Sequence, residues 1–202
     1  MTTLKKILNE KKVCKSVWFM RQAGRYLPEF KQIRLKNPNF INLCLNSELS
    51  SEITLQPIRR FDLDSAIIFS DILMIPYSFG QGVKFTKEEG PKLSRFNIDR
   101  FLNISEKEFS EKLDPIYYSI EITRKKLEKE KSLISFIGAP WTLIIYMLNL
   151  KNKNNTGLDS VKLKKEKSTI SKILEKLIKF SCVHIKNQID SGADVVQIFD
   201  SW

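Results

Sequence analysis

The 202-residue chain has no Cys-x-x-Cys pair, no internal repeat and no low-complexity tract. Its three cysteines, Cys14, Cys44 and Cys182, lie far apart, which argues against a disulfide framework and against a zinc site. Idle thiols in a reducing compartment fit that spacing. Long apolar runs are also missing. The longest, around Leu143 to Leu148, is far too short to cross a bilayer, so no membrane association is expected. Met1-Thr2-Thr3-Leu4-Lys5-Lys6 holds no apolar segment of the kind a signal peptide needs, and a cytoplasmic location is expected. The net charge is +11, yet the basic residues form no stripe. Short groups at Lys11-Lys12, Lys125-Lys126 and residues 162–167 mix with glutamates, as on solvated helix faces, which argues against a nucleic-acid partner. A polyanionic small molecule would still gain from that field. Histidine is nearly absent. His184 alone represents it, on a helical stretch beside an apolar stripe, where a surface histidine without a role is expected.

The remaining composition, 42% hydrophobic and 28% charged, is that of a soluble globular protein with one sizeable core, and a single domain over residues 1–202 is expected. Residues 47–61 predict a helix capped by Asn46 or Ser47, with Pro57 kinking or ending it early. Residues 64–69 predict a buried strand, ending at Ser70-Asp71. Glycines and Pro91 around Val83-Lys84-Phe85 predict an irregular hairpin. Ser105 and Glu108 form a capping-box signature, and Asp114-Pro115 restarts a helix whose face is Ile116, Ile120, Thr123 and Leu127. A second strand over 132–137 stops at Gly138-Ala139-Pro140, helix resumes over 142–150, and 149–157 reads as loop. Leu174, Leu177, Ser181, Ile185 and Ile189 mark a helix that Gly192 closes before a third strand over 194–199. Strand and helix alternate, the pattern of parallel βα units.

Residues 18–30 concentrate the chemistry. Arg21 and Arg25, four positions apart, enclose Gln22, Ala23 and Gly24, with aromatics on either side. Two guanidinium forks and an amide suit several carboxylates at once, and a glycine permits close backbone approach. The string Arg-Gln-Ala-Gly-Arg-Tyr-Leu-Pro resembles the N-terminal signature of the uroporphyrinogen decarboxylase family. Residues 54–61, 68–76, 138–147 and 192–202 resemble further blocks of that family, in family order and spacing, so the likeness covers essentially the whole chain.

The resemblance implies an α/β fold of the (β/α)8 TIM-barrel class, here about the first three βα units plus an N-terminal segment. It implies removal of CO2 from the four acetate arms of uroporphyrinogen, without metal or organic cofactor, in a homodimer. Asp71 would accept hydrogen bonds from the pyrrole N–H groups and stabilise positive charge on a protonated ring. Arg21 and Arg25 would pair with substrate carboxylates and Gln22 would bond to one, with Ala23 and Gly24 completing the binding loop. Tyr146 and Ser201 would reach further acid arms. The proton source stays open between Arg21, Asp71 and ordered water. Tyr77 and Phe79 are expected to floor the cleft, and Trp18, Trp141 and Trp202 to serve packing.

Family members continue for roughly another half barrel after the block that ends at Trp202, and there they carry a substrate-contacting histidine that these residues do not include. The 202 residues are therefore expected to be a portion of a longer pattern. Asp62 stands where the family often has proline, a change that a turn tolerates. Leu148-Asn149-Leu150-Lys151-Asn152 replaces an acidic, glycine-rich run. Two rival readings stand beside the decarboxylase one: a catalytically incompetent fragment or remnant of such an enzyme, and a related zinc/corrinoid methyltransferase of the same barrel, which lacks the Arg-Gln-Ala-Gly-Arg string.

Overall fold

The computed structural model describes residues 3–10, 16–86, 90–152, 154 and 156–202. The chain begins with α1 (Thr3–Glu10), α2 (Pro28–Lys36), α3 (Phe40–Cys44) and α4 (Ser47–Arg60), then β1 (Ser65–Ile67), α5 (Met74–Ser78), β2 (Val83–Thr86) and β3 (Gly90–Leu93). There follow α6 (Ile98–Asn103), α7 (Glu106–Glu111), α8 (Asp114–Lys126), β4 (Ser132–Gly138), α9 (Pro140–Met147), α10 (Ser160–Lys165), α11 (Lys167–Asp190) and β5 (Val195–Phe199). These elements form two compact units: Met1–Asp71 with Asp114–Phe136 and Lys186–Gln197, and Ile72–Leu113 with Ile137–Ile185 and Ile198–Trp202.

The three strands expected from the sequence are neighbours in the order β1-β4-β5. β1 and β4 run parallel, with Ser65 opposite Ser132 and Ile67 opposite Ile134. From β4 to β5 the bonds climb together, Asp194 N donating to Leu133 O and Ala139 N to Phe199 O, as in a parallel pair. Sequential parallel strands joined through helices are the arrangement of a barrel arc.

In the first unit, the Asn46 side chain caps α4 by accepting from Leu49 N (3.0 Å). Contrary to expectation, Pro57 does not end that helix, which runs to Arg60 with Phe61 N donating to Pro57 O (2.9 Å). Pro57 stands in the last turn, where its missing N–H costs a single helical bond. α4 packs along α8, and both buried faces carry small hydroxyl residues: Ser50, Ser51 and Thr54 on one, Ser119 and Thr123 on the other. Small residues bring the helices close, while burial of Ile53, Ile116 and Ile120 stabilises by roughly 1.5–3 kcal/mol each. Arg124 closes the turn after α8, donating to the carbonyls of Leu127, Glu128 and Lys131. It also pairs with Asp194 (3.0 Å), whose same oxygen accepts from Leu133 N (2.9 Å). Gly192 adopts φ +109°, and a side chain there would press on the Arg124 stem.

In the second unit, β2 and β3 form the expected hairpin, Val83 opposite Leu93; residues 87–89 at its tip lie outside the described residues. The core is aromatic. Phe79 lies 4.2 Å from Phe101, 5.0 Å from Phe109 and 5.2 Å from Phe180, centre to centre. His184 is buried with its ring edge-on to Phe109 (6.5 Å), which corrects the expectation of a surface histidine. The buried stripe of α11 runs through Ile173, Leu177, Phe180, His184 and Gln188, one position off the predicted one, and Ile189 is exposed. Burial pushes the imidazole down to about pKa 3, so it is neutral at physiological pH.

Candidate functional site

Six of the eight residues assigned to the site by resemblance belong to the first unit. Residues 21–25 form an irregular loop ahead of α2 in which exposure alternates: Gln22 and Gly24 are buried, Arg21 and Arg25 are exposed, and Ala23 lies between. Gln22 fixes this alternation. Its amide nitrogen donates to Ser65 O (2.7 Å) and its amide oxygen accepts from Ile67 N (3.3 Å). The primary amide thereby brackets residues 65 and 67 of β1, as the peptide unit of a neighbouring parallel strand would. Gln22 was expected to bond to a substrate carboxylate; in the structure its amide nitrogen and oxygen each make a bond to β1.

Gly24 likewise serves the loop itself. Its carbonyl accepts from Leu27 N (2.8 Å), and a Cβ at Gly24 would sit 2.7 Å from Leu27 Cγ, a side chain only 2% exposed. The space that a glycine leaves is therefore filled by Leu27. Arg21 and Arg25 emerge on the outer side, flanked by the exposed side chains of Phe19, Met20 and Tyr26. Neither guanidinium forms an ion pair among the described residues. Neighbouring Arg60 and Arg59, in contrast, are paired with Glu29 and Glu52.

Asp71 is half-buried, four residues beyond β1. Its approach is held from three sides. Phe69 leaves the strand ladder for α4, its N–H donating to Thr54 Oγ1 (2.8 Å) and its carbonyl accepting from Ser50 Oγ (2.7 Å). This shortens β1 to three residues where the sequence predicts 64–69. The Phe69 ring meets Phe30 (6.1 Å) and Phe40 (5.6 Å) edge-on. The charge of Asp71 is felt by Cys44, a fully buried thiol pushed well up by burial first and by Asp71 second, with Arg34 opposing. Cys44 is thus a protonated packing group, as expected; Cys14 lies outside the described residues.

The other two assigned residues, Tyr146 and Ser201, belong to the second unit. α9 starts at Pro140, two residues before the predicted start, because proline's fixed φ suits a first helical position. Tyr146 is in its last turn, half-buried. Ser201 follows β5, and the buried Thr142 hydroxyl accepts from its N–H (2.9 Å) while donating to Asp200 (2.7 Å). Lys151 joins the two regions, its ammonium 3.9 Å from the Tyr146 ring centre and 4.9 Å from that of Trp202. Thr142 and Lys151 escaped the sequence reading, since each works through a partner more than 50 positions away in one case and through an aromatic pair in the other. Phe79, expected to floor a cleft with Tyr77, is instead part of the aromatic core. Among the described residues no three His, Cys, Asp or Glu side chains are grouped to hold a metal ion, and no helix is long and apolar enough to cross a membrane.

The family model described as uroporphyrinogen decarboxylase (URO-D) matches residues 2–202. A uroporphyrinogen decarboxylase of Orientia tsutsugamushi (strain Ikeda) is 43% identical over 187 residues, covering 92% of this chain and 54% of that protein. Those of Helicobacter hepaticus and Brucella anthropi are 43% and 39% identical, again over 92% of this chain and 55% and 54% of theirs. The chain thus spans about half the length of these curated relatives. Among solved structures, a methyltransferase from Methanosarcina mazei is similar with a TM-score of 0.58 at 14% identity, over 84% of this chain and 50% of that one. That likeness is one of fold alone.

Proposed function

Because this chain belongs to the uroporphyrinogen decarboxylase family, we propose that it acts in removing the four acetate carboxyls of uroporphyrinogen III as CO2, leaving the methyl groups of coproporphyrinogen III. The observation that carries this reading is the loop at 21–25: two exposed guanidiniums with no carboxylate partner among the described residues, on a backbone that Gln22 staples to β1, in the same unit as Asp71. Guanidiniums held ready in this way match carboxylates bidentately. The positive net charge draws an octa-acid toward this loop.

The chemistry divides among few groups. A proton added to a pyrrole carbon turns that ring into an electron sink. The acetate C–C bond then breaks, its electron pair flows into the ring, and CO2 departs; the exocyclic methylene takes a proton to become methyl, and the ring carbon releases the proton it first received, which restores the pyrrole. Neither a metal nor an organic cofactor is needed in this sequence. Asp71 accepts from the pyrrole N–H groups and stabilises the cation that forms. Arg21 and Arg25 orient carboxylates; a guanidinium stays protonated, so Arg21 acts by ordering the reacting acetate. Tyr146 and Ser201 bond to further acid arms. Gln22 acts through the loop it anchors, as a positioning residue. A cytoplasmic homodimer completes the reading, on the pattern of the family.

Asp71→Asn keeps the side-chain volume and removes the charge. Decarboxylation of uroporphyrinogen III is expected to fall at least about 100-fold, with the unfolding midpoint unchanged. Undiminished turnover by this variant would contradict the anchoring role.

A further inference from the structure

Within the second unit lies a cavity of about 840 Å3. One wall is β3 with the residues that follow it, and the other is the end of α9 with residues 148–151. Among the described residues its charged lining is mostly basic, with Lys92, Arg95 and Lys151 beside Glu166. Tyr146 lines it too, which places one of the residues assigned to acid-arm binding at its rim.

Lys151 is the telling group. Its backbone is tied down by a bridge to Leu158, and Asp159 N donates to Leu150 O beside it (2.8 Å). Its ammonium sits between the rings of Tyr146 and Trp202, at 3.9 and 4.9 Å from their centres. Two ring faces hold a cation in place while replacing part of its water. Among the described residues, neither Lys151 nor Arg95 makes an ion pair. A fixed, partly dehydrated and unpaired cation in a concave site costs little further ordering when an anion arrives, so most of the charge-assisted bond appears as affinity. A volume of this size falls in the range of small-molecule sites. It is large enough for a pyrrole ring with its acid arms.

We propose that this cavity is a carboxylate subsite, in which Lys151, supported by Arg95, receives acid arms of the tetrapyrrole. The proposal rests on the tetrapyrrole reading above and adds residues to it.

Uroporphyrin III, the stable oxidised form of the substrate skeleton, serves as probe, its binding followed by fluorescence at low and high salt. Lys151→Met keeps the stem against both rings and removes the charge. It is expected to bind uroporphyrin about tenfold more weakly at low salt and with a shallower salt dependence. Lys151→Arg is expected to restore both affinity and salt dependence. Wild-type affinity and salt slope in Lys151→Met would overturn the subsite, as would a loss of affinity with unchanged slope, which marks a packing role. A wild-type protein that binds no uroporphyrin would overturn the tetrapyrrole reading, and the subsite with it.

Discussion

Replacing Gln22 by leucine is expected to destabilise the protein by about 2–4 kcal/mol, read from urea unfolding, because Ser65 O and Ile67 N would both be left buried and unpaired. Gln22→Glu can still accept from Ile67 N but sets a carboxylate against the Ser65 carbonyl. Its neutral form is favoured in the fold, so the variant's deficit is expected to grow as pH rises through the carboxyl pKa and to shrink on acidification. Gly24→Ala forces its methyl against Leu27, at an expected cost of about 1–3 kcal/mol in the same measurement. At this scale the sequence singled out residues 21–25 as a group but not where each side chain is placed. The motif marked residues 21–25 together, whereas the structure separates outward guanidiniums from an inward amide and a packing glycine. That division depends on contacts more than 40 positions away, with Ser65 and Ile67, and no local pattern encodes them.

Among the elements, α11 carries a pH dependence. The His184 imidazole titrates near 6.5 when unfolded and at about 3 in the fold. The unfolded chain therefore binds the proton more readily. Stability from this group is full above pH 6.5 and declines, by at most about 1.4 kcal/mol per pH unit, as pH falls toward 3. Urea unfolding at pH 7 and pH 5 should show a loss in the wild type that His184→Leu lacks. The α8–β4–β5 junction depends in the same way on Arg124. Arg124→Met leaves the Asp194 carboxylate and three carbonyls without their donor, and more than about 2 kcal/mol of stability is expected to go. The elements legible in sequence were those with strong local signals: the caps at Asn46 and Ser105, the stripe of α8, and the three apolar strands. Short helices such as α3, α6 and α10, of 5 or 6 residues, left too little periodicity to read, although Asn39, Asn97 and Asp159 cap them.

For the molecule as a whole, three adjacent parallel strands and their helices agree with the barrel class that the family shares. Order along the chain and order in the sheet coincide, which is why alternating strand and helix signals sufficed for parallel βα units, while the barrel class rested on the resemblance. The partition into two units had no counterpart in composition, since β4, β5 and α11 each begin in one unit and end in the other. The central claim, that this protein works on the acetate arms of a tetrapyrrole, is tested most directly by incubating it anaerobically with uroporphyrinogen III and separating the products by carboxyl number. The expected result is a descending series from eight carboxyls to four, ending at coproporphyrinogen III. Recovery of the octa-acid alone, at protein concentrations where uroporphyrin binds, would contradict it.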